Sequence, residues 1–398
     1  MDRSLLPVWR SNLCVCVFGS FSTVFAMTLM MPFLPVYVGQ LGITNHAAVM
    51  RWAGVAYSAP FLGAAIATPL WGRLSDLYGR KKMLLRASLG MSIATTVTGL
   101  VDHVWQLVAI RFASGLVGGY SSGALILVAV QTPGAKVGWA LGTLSSGIMA
   151  ANLVGPLMGG LLPRVVGVRG TFMIAGALIF ITFAATAFLV REPSSAERRE
   201  DRRATMRWRD LPNPVVVVAM LITAGLLTLA NMSIEPIITL YVGELHVATA
   251  DVTTMAGLVM SAGALGSILS ASRLGMLADR VGHLRIVTLG LAAAALLLIP
   301  QIAVTTAWQL AGLRLLMGVA LGGLLPCIAA VVRLSVPDGM AGALLGYSLS
   351  CQYAGQIIGP LMGGMIGAHF GLRAVFLITS LLLGLGALTA WKARGAIR

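Results

Sequence analysis

Three ionisable side chains stand inside long apolar runs of this sequence, where a charge is costly. Glu235 lies directly before a proline, and Arg111 and Arg314 occupy equivalent places in two other runs. A carboxyl group that alternates between a dry environment and one that is wet or lined by a cation takes up and releases a proton. A guanidinium stays charged and favours the carboxylate beside it. These residue types therefore suit reversible protonation at a buried site.

Glu235 is the sole candidate for a proton carrier of this kind. The other acids and all five histidines fall in the segments that connect the apolar runs or at their ends. We place Glu235 about six residues, or 9 Å, from the outer end of its run. The alternative is a Glu235 near the outer surface, hydrated or held in a fixed ion pair. For Arg111 and Arg314 the alternative is a structural arginine bonded to carbonyl groups of a neighbouring helix.

Other common chemistries lack their motifs. The sequence has no Gly-x-x-x-x-Gly-Lys-Ser/Thr loop for binding phosphates, which excludes a self-contained ATP-driven pump. It has no His-Glu-x-x-His, no cluster of acids and no nucleophile beside a base, so a membrane-embedded enzyme has almost no support. We expect no enzymatic activity, no metal and no cofactor.

The elements that must position these residues cross a membrane. The 398 residues are 58% hydrophobic and 10% charged, and apolar runs long enough to cross a bilayer recur through the chain. Backbone groups cannot stay unbonded in lipid, so the runs must be helices. We predict an all-α integral membrane protein with twelve transmembrane helices in two pseudo-symmetric six-helix bundles. The predicted spans are 13–38, 50–71, 83–101, 105–127, 138–162, 169–190, 213–240, 254–274, 286–304, 308–332, 342–366 and 372–391.

The prediction of two bundles rests on an internal repeat with a period of 203 to 204 residues. The matched pairs include Trp105 and Trp308, Arg111 and Arg314, Gly155 and Gly359, Tyr37 and Tyr241, and Phe172 and Phe376. Such a repeat indicates two similar structural units that enclose a site between them. We predict an N-terminal bundle at 1–190, a charged cytoplasmic linker at 191–212 and a C-terminal bundle at 213–398.

The net charge of +15 is distributed as in a membrane protein. With these spans, 22 of the 28 Lys and Arg residues fall on one set of loops and the two tails. Positive loops face the cytoplasm, so both termini are expected there. The absence of a folded basic domain argues against nucleic acid as a partner. The short connecting loops suggest a bacterial inner membrane, and we expect a monomer in the lipid bilayer.

The loop between the second and third spans carries a motif. Residues 72–82 read Gly-Arg-Leu-Ser-Asp-Leu-Tyr-Gly-Arg-Lys-Lys, with Gly72 and Gly79 permitting a tight turn and a basic cluster beginning at Arg80. A weaker copy at 275–285 contains Asp279. The segment resembles the loop signature of the major facilitator superfamily.

That resemblance implies a conformational latch. In it, Asp76 faces the positive N-terminal end of span eleven near Gly342 and holds the cytoplasmic side shut. The alternative, a loop that only sets topology, explains the basic residues and leaves the aspartate unexplained. Asp279 is the matching residue in the second half, although its loop lacks the full basic run.

Further motifs narrow the resemblance. Arg111 and Arg314 each stand in a Leu-x-x-x-Arg-x-x-x-Gly pattern similar to the second superfamily motif. A glycine-rich pattern similar to the antiporter motif departs from it in one place, with Ala151 where a glycine is expected, and it recurs complete in span eleven. Its glycines allow close helix packing and its prolines bend the helix. Its residues are Gly155, Pro156, Gly159 and Gly160, and Gly359 and Pro360 in the second copy. A bare packing face is the alternative.

Together these motifs look like the drug/proton antiporter branch of the superfamily. The resemblance implies two bundles that rock about a central site lined by spans one, four, seven and ten. In our hypothesis, rocking moves Glu235 between a dry surrounding and one beside Arg314 or Arg111. A cationic substrate would compete for the carboxylate. The repeat partner of Glu235 is Met31, so span one lacks the acid that the resemblance would place there. This departure leaves the coupling stoichiometry open and leaves room for the proton to use Asp76 or another route.

A soft, sparsely polar lining suits lipophilic substrates better than a sugar. The candidate lining residues are Met31, Tyr57, Asn152, Asn231, Gln352, Tyr353 and Gln356. Alternatively, many of them only fill helix interfaces. We predict proton-coupled efflux of several lipophilic or cationic compounds, with small molecules and protons as the partners. The alternative is an exporter of one metabolite, such as a sugar or siderophore; a nontransporting sensor is disfavoured because no output domain is evident.

Overall fold

The computed structural model describes residues 8–192, 213–245, 247–248, 251–336 and 338–395, which are almost entirely helical. Most of the predicted linker, from residue 193 to 212, lies outside these ranges. The helices are α1 (Val8–Leu29), α2 (Leu34–Gln40), α3 (His46–Tyr78), α4 (Arg80–Thr98), α5 (Val104–Val117), α6 (Tyr120–Gln131), α7 (Val137–Leu189), α8 (Pro214–Glu244), α9 (Val252–Val281), α10 (His283–Gln301), α11 (Ala307–Leu321), α12 (Leu324–Leu334), α13 (Asp338–Phe370) and α14 (Leu372–Gly395).

The twelve predicted spans are all present as helix, and the all-α membrane fold is confirmed. Nine helical stretches of the described chain meet length and hydropathy requirements for crossing a membrane. One of them, 134–189, contains two predicted spans on either side of Gly167, where the backbone leaves helical geometry. The remaining two spans are α4 and α13. Helix α4 is less apolar because four cations, among them Arg86, stand in its first two turns.

Three predicted spans are each divided into two helices. The first breaks after Leu29, where the prolines at 32 and 35 remove backbone N–H donors. The fourth breaks at Gly118 and Gly119, and Gly119 has a φ of 101° that suits only a residue without a Cβ. The tenth breaks at 322–323, the matching place in the second half.

The chain forms two compact units by its internal contacts. The first comprises residues 1–42 and 59–199, and the second comprises 43–58 and 200–398. In the first unit α1 packs on α6 and α7, and α4 packs on α5, α6 and α7. In the second unit α8 packs on α13 and α14, α11 packs on α9 and α10, and α10 packs on α14. In each unit the first span thus packs against the helix that carries the antiporter-like glycine motif.

The sequence repeat is reproduced in the backbone of the two units. Gly79 and Gly282 both have positive φ values, of 91° and 103°, at the turn before α4 and α10. The hydroxyl of Tyr37 donates to the Thr98 carbonyl at 2.9 Å, and that of Tyr241 donates to the Gln301 carbonyl at 2.7 Å. The same tyrosine therefore holds the same helix end in each unit.

Candidate proton-binding site

Glu235 lies in α8, deeper from the helix end than the sequence indicated. The helix continues to Glu244, so nine residues, or about 13 Å, follow Glu235. The predicted span ended at residue 240, four residues before the helix ends. The residue as a whole is half-buried, while its Oε2 oxygen is buried and has no hydrogen-bond partner within the described part of the chain. A buried carboxyl oxygen without a partner is costly and marks a site of chemical interest.

Arg314 is the cation that acts on Glu235. It lies in α11, which begins with a capping box in which the side chains of Thr306 and Gln309 satisfy the first backbone N–H groups. The residue is 6% exposed, and its guanidinium interacts electrostatically with Glu235. Nη1 of Arg314 also lies 3.8 Å from the Met317 sulfur, a weak acceptor. Of the two arginines predicted to act on Glu235, Arg314 lies in the same unit and its charge acts on the carboxyl group.

Arg111 occupies the corresponding place in the first unit. It is 5% exposed in α5, and its Nη1 contacts the sulfur of Met30 in the turn that follows α1. The position that matches Glu235 is the half-buried Met31. Arg111 thus contacts a sulfur, and its half has a methionine at the position where the second half has Glu235.

Two residues around Arg314 escaped the sequence analysis. Gln301 is fully buried at the end of α10, and Met317 lies one turn after Arg314. Neither side chain titrates, so neither is a candidate proton carrier by residue type. The signal for Gln301 was present, since an amide inside an apolar run needs a partner.

The glycines of the antiporter-like motif form helix contacts. A Cβ at Gly155 or Gly159 of α7 would overlap Thr28 or the Leu29 carbonyl of α1. In the second copy, a Cβ at Gly359 would lie 2.6 Å from the Leu229 carbonyl oxygen of α8. Pro156, Gly160 and Pro360 are buried within the same helices. This packing brings the α13 glycine face against the segment of α8 that leads to Glu235.

The loop motif is held by a residue that we had assigned to the linker. Both carboxylate oxygens of Glu192 accept hydrogen bonds at 2.9 Å, one from the backbone N–H of Arg80 and the other from that of Lys81. Gly79 precedes them, and a Cβ there would lie 3.1 Å from the carboxylate. Glu192 thus satisfies donors at the N-terminus of α4, where negative charge is favourable. The sequence feature that could have indicated this contact is a carboxylate at the end of span six.

The remaining loop residues stand on the helix ends. Gly72 is exposed in α3, and Asp76 follows within the same helix, its side chain outside the described part of the structure. Asp279 forms an ion pair with His283, with 3.3 Å between the carboxylate and Nε2. The proposed role of Asp76 as a latch stays a prediction.

The candidate lining residues differ in exposure. Tyr57 is 1% exposed and Asn152 is exposed, with its amide donating to the Ile148 carbonyl one turn earlier. The others are half-buried, namely Met31, Asn231, Gln352, Tyr353 and Gln356. Their contact with a substrate stays a prediction.

The geometry in the second unit suits a proton exchange. A carboxyl group that faces one buried guanidinium is charged when its contact with the cation is close, and it is neutral when that contact is weakened in a dry surrounding. A change of position of α8 relative to α11 would therefore change the occupancy of Glu235 by a proton. None of the described residues forms a cluster of His, Cys, Asp and Glu that suits a metal ion.

The chain matches the family model of the Major Facilitator Superfamily over residues 16–271 and 250–395. It is 41% identical over 394 residues to "Multidrug resistance protein MdtG" of Salmonella arizonae, covering 98% of each chain. The protein of the same name from Salmonella typhimurium is 41% identical over 396 residues, again covering 98% of each.

Solved structures share the fold. A bacterial homolog of the human lysosomal transporter Spinster, in an inward-facing and occupied conformation, superposes with a TM-score of 0.84 at 14% identity, covering 99% of this chain and 98% of that one. The human organic anion transporter MFSD10 superposes with a TM-score of 0.70 at 18% identity, covering 97% and 100%. The family model, the close sequence relatives and the helical architecture agree, and the chain belongs to the Major Facilitator Superfamily, where it groups with the MdtG proteins as a multi-pass membrane transporter.

Proposed function

We propose that this transporter exports several lipophilic or cationic compounds in exchange for protons. Transport would proceed by alternating access, without a cofactor and with the proton gradient as the energy source. The protein would work as a monomer in a bacterial inner membrane with both termini in the cytoplasm. The distribution of Lys and Arg supports this orientation.

The observation that carries the coupling proposal is the buried pair of Glu235 and Arg314. Glu235 has an unpartnered buried oxygen and a single charged neighbour acting on it within the described residues, the Arg314 guanidinium. A fixed structural ion pair would be expected to satisfy both carboxylate oxygens with hydrogen bonds. An oxygen left unpaired favours a group that also exists in its protonated form, in which it would act as a donor.

Substrate breadth is supported by the relatives and by the lining. Proteins named for multidrug resistance align with this chain from end to end at 41% identity. The half-buried candidates include the thioether of Met31 and the amides of Asn231, Gln352 and Gln356. Flexible, polarisable side chains with few hydrogen-bonding groups adapt to ligands of different shape.

In the proposed cycle, Glu235 enters the outward-open state protonated or takes up a proton from the outer water. In the inward-open state its O–H bond breaks and the proton passes to cytoplasmic water, leaving a carboxylate paired with Arg314. A lipophilic cation that binds near the carboxylate favours this charged form and so promotes proton release. Transport of the cation outward then returns Glu235 to the outer water, where it is protonated again.

The test is substrate-driven proton movement in proteoliposomes that hold a pH gradient. Lipophilic cations, neutral lipophilic compounds, sugars and a siderophore would be added in turn to the wild type and to Glu235→Gln. We expect proton flux with several unrelated lipophilic compounds in the wild type and no flux in the variant. Glu244→Gln is the matched control, because this acid lies on the same helix and is exposed at its end.

The other outcomes divide the proposal into its parts. Flux that survives Glu235→Gln would keep antiport and exclude Glu235 as its carrier. Flux with a single sugar or the siderophore alone would favour an exporter of one metabolite. A wild type in which no compound moves protons would contradict proton coupling.

A further inference from the structure

The side-chain amide oxygen of Gln301 is a buried acceptor that lacks a donor among the described residues. The residue is completely buried at the end of α10, and its Nε2 donates to the Leu297 carbonyl at 3.0 Å. Its Oε1 is buried without a hydrogen-bond partner among the described residues. The assignment of the two amide atoms follows from the Leu297 carbonyl, which can accept only from the nitrogen. The oxygen therefore points away from the helix backbone with a free lone pair.

The unpaired oxygen belongs to the surroundings of Arg314. Nε2 of Gln301 and Nη1 of Arg314 both lie 3.8 Å from the Met317 sulfur, so the two nitrogen atoms are no more than twice that distance apart. Within the described residues, three buried side-chain oxygen atoms lack a partner, on Ser20, Glu235 and Gln301. One of these three, Glu235, interacts electrostatically with Arg314, and Gln301 shares the Met317 sulfur with the same arginine.

The local backbone keeps Gln301 near α8. The Tyr241 hydroxyl, six residues after Glu235 on the same helix, donates to the Gln301 carbonyl at 2.7 Å. The end of α10 therefore lies beside α8, at a point six residues after Glu235. Arg314 is the charged group that acts on Glu235 among the described residues, whereas Glu244 and Arg373 act on Tyr241 nearer the helix end.

We propose that Gln301 is a positioning residue for the proton site, whose Oε1 accepts a hydrogen bond from Arg314 when Glu235 is protonated. A protonated Glu235 no longer offers Arg314 a negative charge, and the Met317 sulfur is a weak substitute. The amide oxygen would take over one guanidinium N–H in that state and release it when the carboxylate forms. Gln301 would thereby stabilise the protonated state of the site. This inference rests on the proposed exchange of a proton at Glu235.

The test measures the protonation of Glu235 directly, so that it does not depend on transport. The carbonyl band of a protonated carboxyl group is followed by infrared spectroscopy against pH in lipid-reconstituted protein, and the band lost in Glu235→Gln is assigned to Glu235. In Gln301→Leu, Arg314 lacks its substitute acceptor, so protonation of Glu235 needs more acid. We expect the midpoint to fall by about one pH unit, the tenfold change that a hydrogen bond to a charged group corresponds to.

Two further variants separate positioning from simple packing. Gln301→Glu keeps the shape and gives Arg314 a stronger acceptor, so the midpoint should move upward instead. Thr98→Val is the matched control in the first unit, because Thr98 is the repeat partner of Gln301 and accepts the same tyrosine contact. It should leave the midpoint unchanged.

A midpoint that stays the same in both Gln301 variants, or that moves in the same direction in both, would overturn the inference. If Gln301→Leu fails to fold, Gln301→Asn serves instead, since the shorter side chain withdraws the oxygen and should lower the midpoint by a smaller amount. Failure of the proposed function appears separately, as an absence of substrate-driven proton flux in the wild type.

Discussion

The two halves of this transporter place a buried arginine at the same point of the repeat and surround it differently. Arg314 interacts electrostatically with the Glu235 carboxyl group, and its Nη1 lies 3.8 Å from the Met317 sulfur. Arg111 contacts the Met30 sulfur. The sequence position that matches Glu235 in the first half holds a methionine, and the position that matches Met317 holds a serine.

The frame around the two arginines is nevertheless the same. The retained pairs are Tyr37 and Tyr241 with their hydroxyl contacts, and Phe172 and Phe376, whose rings lie 5.5 and 5.0 Å from those tyrosines. Both copies of the repeat thus share the packing that holds the helix ends. The acid Glu235 and the amide Gln301 occur in the second copy only. The difference shows that a buried arginine occurs in this architecture with and without an acid at the position of Glu235, and the proposed proton exchange would belong to the second half alone.

The largest expected effect is that of removing the Arg314 guanidinium. Arg314→Gln removes the cation that favours the Glu235 carboxylate, so the carboxyl group should remain protonated throughout the cycle. We expect substrate-driven proton release to fall by about 100-fold, measured in proteoliposomes. Arg111→Gln is the matched variant, and it should retain proton release within about threefold because the position that matches Glu235 in its half holds Met31, which does not titrate.

An equal loss of proton release in Arg314→Gln and Arg111→Gln would show that the two arginines are equivalent. In that case, proton coupling would involve both halves of the molecule. Circular dichroism and gel filtration of the purified variants check that each remains folded, since removal of one partner from a buried ion pair destabilises a protein by about 3–5 kcal/mol.

The fold was predictable because its signals are long and repeated. Twelve apolar runs, the 203- to 204-residue repeat and the glycines at 79 and 282 each correspond to observed features of the helices. The breaks within three spans were not predicted, since a glycine pair or a proline inside an apolar run is compatible with either a bend or a gap. Helix ends were also misplaced, as at Glu244.

The candidate site was predictable only in part. Rarity singled out Glu235 and Arg314, because charge inside an apolar run is costly. Gln301 and Glu192 depend on which helices lie beside each other, and the order of residues along the chain does not supply that information. The structure singles out Gln301 by an unpaired amide oxygen, and it shows Glu192 bound to two backbone donors at the start of α4.

A smaller effect is expected when the close helix contacts of the two halves are disturbed at matching glycines. A Cβ at Gly159 or Gly363 would overlap the Leu29 or Ser233 carbonyl oxygen. Gly159→Ala and Gly363→Ala should each lower stability by about 1–3 kcal/mol, measured by thermal unfolding in detergent. Gly363→Ala should also alter the infrared titration of Glu235, two residues from Ser233, whereas Gly159→Ala should not.

Gly346→Ala is the control for this pair, because a Cβ there meets no atom within 4 Å. It should leave stability unchanged or raise it by about 0.5–1 kcal/mol through the lower flexibility of the unfolded chain. Equal effects of Gly159→Ala and Gly363→Ala on the titration would show that the glycine contacts of both halves influence the proton site.

The smallest expected effect compares the two loop motifs. Glu192 binds two backbone N–H groups at the start of α4, and its removal in Glu192→Ala should cost about 1 kcal/mol of unfolding free energy. Asp279 forms its ion pair with His283 on the surface, with 73% of its side chain exposed, so Asp279→Ala should cost only a few tenths of a kcal/mol. Thermal unfolding of the two variants decides the order. If Asp279→Ala costs more unfolding free energy than Glu192→Ala, the contact in the second loop copy stabilises its helix more than the contact in the first.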